Sequence, residues 1–188
     1  MGLMFSQDHK KNLLKLARDS IKYGLEHKQV LPIKSSDYAT ELQESKACFV
    51  TLHMGKNLRG CIGSLQAYRP LVLDVAKNAF AAAFQDPRFS PLSPNELDQV
   101  SISISVLSKP KPLEFDSEED LLAKIRPQVD GLILTEGQHR GTFLPAVWES
   151  LPNAKDFLNQ LKLKAGLSPD YWSETIRMER YTSEEFSE

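Results

Sequence analysis

The spacing of apolar residues along the chain predicts four helices, of which only the third is short. Between residues 8 and 28 the apolar positions recur every four residues, which is typical of an amphipathic helix. These positions are Leu13, Ala17, Ile21 and Leu25. A second helical run follows Pro70, a residue favoured at the first position of a helix, and stops near Asp86. Ser117 is predicted to open a shorter helix, and Gly166 is predicted to end the last one.

Alternation of apolar and polar residues predicts the strands. Residues 100–106 alternate Val or Ile with Ser, so one face of this strand should lie on a core and the other should be polar. Residues 131–135 and 141–144 predict a hairpin around residues 136–140, and alternation returns at residues 176–181. Helices therefore mix with hairpins, and no glycine-rich phosphate loop is present. We predict an α+β fold with a largely antiparallel sheet and flanking helices.

Another hairpin is predicted with its turn at Gly55, between two runs rich in β-branched and aromatic residues. Glycine at the first central position is what a two-residue type II′ turn requires. Counting outward from this turn pairs Val50 with Cys61. Side-chain alternation then places Cys61 and Arg59 on the same face as Val50, and His53 on the opposite face.

The composition is that of an ordinary folded chain. Of 188 residues, 41% are hydrophobic and 26% are charged, and 23 basic against 25 acidic side chains give a net charge of -2. Near neutrality argues against a dedicated nucleic-acid-binding protein, and no apolar run approaches the roughly 18 residues that span a bilayer. Because the N-terminus also lacks a secretory signal pattern, we expect a cytoplasmic protein with no membrane association and with Cys48 and Cys61 reduced.

A short motif, Leu58–Gly63, resembles the signature hexapeptide of the AMMECR domain family, also called protein A of the AmmeMemoRadiSam system. Further stretches match in the expected order, namely Asp86–Phe89, Ser105–Leu107, Gly141–Pro145 with Val147 and Trp148, and Lys164–Leu167. The resemblance implies a single AMMECR-like domain over residues 1–188, built of two closely packed subdomains. It also implies a cytoplasmic protein of unsettled activity, with Memo-like and radical SAM proteins as partners.

Cys61 is the candidate catalytic nucleophile. It lies between Gly60 and Gly63, and glycine weakens a strand unless another group must approach closely. One interpretation is that the glycines clear space for a ligand beside the thiol, and that Arg59 favours the reactive thiolate. The other is that Cys61 is a small buried hydrophobe and that the glycines accommodate a neighbouring helix.

A nucleophile needs a base, and His139 in the second hairpin is the candidate. The register given above places His53 on the opposite face from Cys61, so that a Cys–His pair there would require a bulge in one strand. The alternative for His139 is a solvated turn residue. Because the four histidines are dispersed and no Cys-x-x-Cys pair occurs, we predict no bound metal, and we predict no cofactor.

Three arginines are candidates for binding an anionic ligand, because a guanidinium fork matches carboxylates and phosphates. They are Arg59, Arg88 and Arg140. The alternative for Arg88 is a local pair with Asp86, two residues before it. If a pocket exists at the hexapeptide, Gly60→Val should abolish function with a modest loss of stability, and Arg59→Lys should weaken function.

Three functional hypotheses follow. The first is an accessory or enzyme component with a small-molecule or peptide pocket at Leu58–Gly63, acting with radical SAM and Memo-like partners. The second is a stand-alone transferase or hydrolase that uses the Cys61 thiol. The third is a nucleic-acid-associated module with the basic N-terminal helix as its binding face, which the balanced charge of the chain disfavours.

Overall fold

The computed structural model describes residues 5–188, which group into two compact units. One comprises the chain up to Leu107 together with Glu184–Glu188, and the other is Ser108–Ser183. Each unit is built on one four-stranded sheet with helices, so the predicted α+β class is confirmed. That residues 1–188 act as a single domain stays a prediction.

The elements follow one another in the order of the chain. The helices are α1 (Gln7–His27), α2 (Thr40–Gln43), α3 (Leu71–Phe84), α4 (Glu118–Lys124) and α5 (Ala154–Lys164). The strands are β1 (Cys48–Met54), β2 (Asn57–Gly63), β3 (Val100–Leu107), β4 (Lys111–Pro112), β5 (Gly131–Glu136), β6 (His139–Phe143), β7 (Arg177–Tyr181) and β8 (Ser183–Ser187). Short 3-10 turns occur at Ser35–Asp37, Pro94–Glu96 and Pro145–Glu149.

The first unit packs two helices against one face of a sheet with the strand order β2-β1-β3-β8. The Ser6 side chain caps the first turn of α1, and Lys28 ends that helix in the left-handed conformation. The apolar stripe of α1 is buried against α3 and the sheet, as its period predicts. From the sheet this core takes the alternate residues Val50, Leu52, Val100, Ile102, Ile104 and Val106.

The hairpin of β1 and β2 has the predicted turn and a different register. His53 pairs with Leu58 as counted from the turn, but a bulge lies between Leu52 and His53. Beyond the bulge Thr51 pairs with Cys61, and Val50 pairs with Ile62. The predicted pairing of Val50 with Cys61 is therefore wrong. The bulge adds one residue to β2. Every later side chain of β2 therefore lies on the face opposite to the one that the predicted register gave it.

The second unit has a sheet with the order β4-β7-β5-β6, beside α4 and α5. Its hairpin turns at Gly137, which has a positive φ of 60°, and the turn is two residues shorter than predicted at its C-terminal end. As a result His139 and Arg140 lie in β6 and not in a turn, and they pair with Glu136 and Thr135.

Candidate functional site

Cys61 lies on the face of the first sheet opposite to α1 and α3. This face, here called the polar face, is formed by Cys61 of β2, by Phe49, Thr51 and His53 of β1, and by Ser101, Ser103 and Ser105 of β3. Cys61, Thr51 and Ser103 form one row across three strands. The Thr51 hydroxyl donates a hydrogen bond of 3.2 Å to Cys61 Sγ, and the thiol is half-buried. The face predicted for Cys61, that of Val50, is therefore wrong.

The bulge also changes the relation of Cys61 to His53. Strand β1 alternates regularly along β3, so His53 lies on the same face as Thr51. Cys61 pairs with Thr51, so it shares a face with His53, which lies two residues after Thr51 in β1. The expected separation of the two residues onto opposite faces is wrong, and its cause is the bulge that the sequence pattern did not indicate.

A buried carboxylate holds the backbone of Cys61. Asp86 Oδ2 accepts the Cys61 N–H at 3.0 Å, and the side chain of Asp86 is 2% exposed. Its two oxygens also accept Nε and Nη2 of Arg88 at 3.0 and 2.8 Å. Hydrogen bonds from the Arg88 side chain and from the backbone amides of Cys61 and Arg88 hold the pKa of Asp86 well below its ordinary value, against the effect of desolvation.

This arrangement covers the open edge of β2, which is the first strand of its sheet. The carboxylate of Asp86 caps one amide of that edge, and Arg88 Nη2 approaches the carbonyl oxygen of Cys61 at 3.5 Å. The loop Asp86–Ser90 thus occupies a position at which another strand would otherwise pair. Arg88 pairs locally with Asp86, which is the alternative that the sequence left open, and it also faces the hexapeptide.

Arg59 is bound within the unit. Its Nε and Nη2 contact the two carboxylate oxygens of Glu96 at 2.8 and 3.1 Å, and Nη2 also donates to the carbonyl oxygen of Ser90 at 2.9 Å. The hydrogen bonds of Arg59 lower the pKa of Glu96 to about 2. The Phe89 ring centroid lies 5.9 Å from Cζ of Arg59 and 5.5 Å from Cζ of Arg88. The fork of Arg59 therefore recognises an internal carboxylate.

Gly60 and Gly63 are required by backbone packing. A Cβ atom added to Gly60 would overlap the carbonyl oxygen of Ala82 in α3, and one added to Gly63 would overlap the backbone of β1 at Cys48. Backbone atoms therefore fill the space beside both glycines, and the interpretation that Gly60 and Gly63 clear this space for a ligand is wrong. The neighbouring-helix alternative holds for Gly60, and Gly60→Val is therefore expected to cost more than a modest loss of stability.

The remaining candidates, His139 and Arg140, belong to the second unit. His139 Nδ1 lies 3.1 Å from the carbonyl oxygen of Ala165, and Arg140 is exposed on β6. The structure thus groups Arg59, Cys61 and Arg88 in the first unit and these two residues in the other. That His139 acts as a base and that Arg140 binds a ligand stay predictions.

Sequence reasoning missed Thr51 and Asp86, which hydrogen-bond the thiol and the backbone N–H of Cys61. Asp86 stood in the matched stretch Asp86–Phe89, where its spacing from Arg88 was a usable signal. Thr51 could have been found only with the correct register.

Cys48 has a different environment from Cys61. It is fully buried against α3, and its thiol lies 3.2 Å from Oδ2 of Asp74. Burial, followed by the charge of Asp74, raises the pKa of the Cys48 thiol well above its ordinary value. Asp74 also contacts Asn78 and Arg69 at 3.0 Å each. This thiol is buried and weakly acidic, so Cys61 is the better candidate for chemistry.

Residues 5–188, the part of the chain that the structure describes, contain no candidate metal-binding cluster and no candidate membrane-spanning helix. No three side chains among their histidines, cysteines, aspartates and glutamates come together in a way that could hold a metal ion. No helix in this part of the chain is both long and apolar enough to cross a bilayer.

Comparison with known proteins identifies relatives over almost the whole chain. The AMMECR1 family model matches residues 14–186. A protein of Methanothermobacter thermautotrophicus is 38% identical over 97% of this chain and 96% of its own length. Protein TK0174 of Thermococcus kodakarensis is 37% identical over 94% of this chain and 88% of its own. The crystal structure of the uncharacterized protein PH0010 from Pyrococcus horikoshii matches with a TM-score of 0.88 and 34% identity, covering 99% of this chain and 94% of the other. The chain belongs to the AMMECR1 family.

Proposed function

We propose that this chain is a cytoplasmic component of a multi-protein system, with a small-molecule or peptide site at the polar face around Cys61. Its partners in this proposal are the Memo-like and radical SAM proteins that the family resemblance implies. The observation that carries the proposal is the placement of the Cys61 thiol, which receives a 3.2 Å hydrogen bond from Thr51 on a polar sheet surface. This hydrogen bond fixes the position of the sulfur on the polar face.

Arg88 is the group that would bind an anionic part of the ligand. Its side chain is 55% exposed, and Asp86 occupies its Nε and Nη2 while fixing its position. Nη2 of Arg88 also lies 3.5 Å from the carbonyl oxygen of Cys61. A fixed cation beside a thiol favours an anionic ligand at that thiol.

A stand-alone transferase or hydrolase is the second candidate. It is favoured by the shared face of His53 and Cys61, because a nucleophilic thiol needs a base within reach. In that case the purified chain would be active without partners, whereas a system component would need them.

Metabolite profiling of a deletion strain tests the first proposal without assuming a substrate. We expect the change in metabolites to be reversed by the wild-type gene and by a control variant, Ser36→Ala, at an exposed serine outside the polar face, but not by Cys61→Ser or Thr51→Val. Deletion of the radical SAM partner should give the same change. Full complementation by Cys61→Ser would contradict the thiol site, and an unrelated profile for the partner deletion would contradict the shared system.

A further inference from the structure

A groove in the first unit runs between α1 and the edge strand β8. It has a volume of about 540 Å³. Helix α1 supplies one wall with Gln7, Lys10, Lys11, Leu14, Lys15 and Arg18, which recur at the three- and four-residue spacing of one helix face. Phe186, Ser187 and Glu188 supply the other wall. None of these residues belongs to the site around Cys61.

The strand wall of this groove offers backbone hydrogen-bonding groups. Strand β8 is the last strand of its sheet, with β3 on one side only. The N–H of Glu188 donates to the carbonyl oxygen of Ile102 in β3 at 3.2 Å. Because backbone groups alternate along a strand, Ser187 and Glu185 turn their N–H and C=O groups toward the open edge.

Strand β8 is fixed firmly enough to act as a template. Lys10 forms an ion pair of 2.8 Å with Glu184, and its ammonium lies 5.9 Å from the ring centroid of Phe186. Arg18 binds both carboxylate oxygens of Glu188 at 2.6 Å. These contacts hold the strand to α1 at two points, with the Phe186 ring packed on the core between them.

The floor and rim of the groove indicate what it would bind. Leu14 and Phe186 form an apolar floor, and Lys11 is exposed on the rim without an ion pair to any residue between 5 and 188. Lys15 is exposed too, and within the described residues it pairs only with Asp19 on its own helix. The groove therefore complements an apolar side chain flanked by carboxylates.

We propose that this groove binds an extended acidic peptide segment of a partner protein, which adds as a fifth strand at the edge of β8. Strand addition uses the open backbone groups, while alternate side chains of the peptide face α1. A nucleic acid fits less well, because its row of phosphates needs several free cations, and Lys10, Lys15 and Arg18 already pair with carboxylates within residues 5–188.

A labelled peptide of the sequence TETLTET tests the proposal, because in a strand its Glu and Leu side chains share one face. Fluorescence anisotropy with the full chain should show saturable binding. We expect Lys11→Glu to weaken this binding roughly fivefold or more, and Lys77→Glu, the same charge change on exposed α3, to leave it unchanged.

Two versions of the peptide, methylated on one or the other alternate set of amides, separate strand addition from charge attraction. Only one set should lose binding, because only one set faces β8. The proposal is overturned by an absence of saturable binding at millimolar peptide, by equal effects of the two methylated peptides, or by equal weakening with Lys77→Glu. Tighter binding of a dT oligonucleotide or of anionic phosphatidylglycerol vesicles would also overturn it.

Discussion

The two cysteines show how one side-chain type acquires two chemical roles within a single hairpin. Cys48 faces the helices, has no exposed surface and lies against the carboxyl group of Asp74. Cys61 is half-buried on the polar face beside the hydroxyl of Thr51. Because thiolate formation and access both control reactivity, the face of the sheet decides which thiol can react.

We therefore predict that iodoacetamide modifies Cys61 in the native protein and modifies Cys48 only after denaturation. Peptide mass spectrometry without reductant measures both sites. Thr51→Val should slow the labelling of Cys61 and leave that of Cys48 unchanged. Native modification of Cys48, or a disulfide between the two, would contradict the placement of the cysteines on opposite faces.

A second prediction concerns the close packing of Gly60 on α3. Because a methyl group at this position meets the backbone of α3 at Ala82, Gly60→Ala should lower the free energy of unfolding by about 2 kcal/mol or more. Urea denaturation measures this change. Lys56→Ala is the control, since Lys56 is an exposed residue in the turn of the same hairpin. A Gly60→Ala protein as stable as the control would contradict the close packing of β2 on α3.

At the scale of elements, the loop Asp86–Ser90 is what holds the edge of β2. A carboxylate whose pKa is lowered by folding contributes stability above its unfolded pKa and loses it as the pH falls toward the folded value. The pKa of Asp86 is lowered from 3.8, and that of Glu96 is lowered from 4.5 to about 2. At neutral pH Asp86 therefore stabilises this loop and Glu96 stabilises the contact with Arg59, and both contributions are lost in acid.

We predict that Asp86→Asn lowers stability at pH 7 and that the difference from wild type shrinks as the pH falls below about 4. The amide carries no charge for Arg88 and loses one of the two acceptor oxygens. Thermal melts between pH 2 and 7 measure the difference. The same melts on Glu96→Gln measure the contribution of the Glu96 carboxylate separately. A difference that does not change with pH would show that the charge of Asp86 is unimportant.

The sequence predicts an element well where its pattern is long and local. Helices α1 and α3 and strand β3 were found from periods that extend over many residues, and the turn at Gly55 was found from local chemistry. The bulge in β2 was missed because it depends on distant partners, such as the packing of Gly60 on α3. Strand β8 was missed because it has a single apolar residue, Phe186, and is held by contacts to α1.

At the scale of the whole molecule, the chain forms one unit, leaves it for a second and then returns. The second unit has its own buried core, which includes Trp148 stacked on Phe157 at a centroid distance of 3.8 Å. The two ends of this unit are joined by hydrogen bonds, because Ser108 N–H donates to the Thr182 carbonyl oxygen and Thr182 N–H donates to Ser108 Oγ, each at 2.8 Å. An inserted segment with adjacent ends and its own core is equipped to fold alone.

We predict that the fragment Ser108–Ser183 folds cooperatively by itself, because its core and sheet lie within it. A fragment ending at Leu107 should be much less stable than the intact chain, since it lacks β8 and with it the carboxylates that pair with Lys10 and Arg18. Circular dichroism and thermal melts of both fragments measure this, and restoring Glu184–Glu188 through a short linker should recover stability in the second. If the inserted fragment were unfolded while the intact chain melted in one transition, residues 1–188 would be one cooperative domain, as the family resemblance implied.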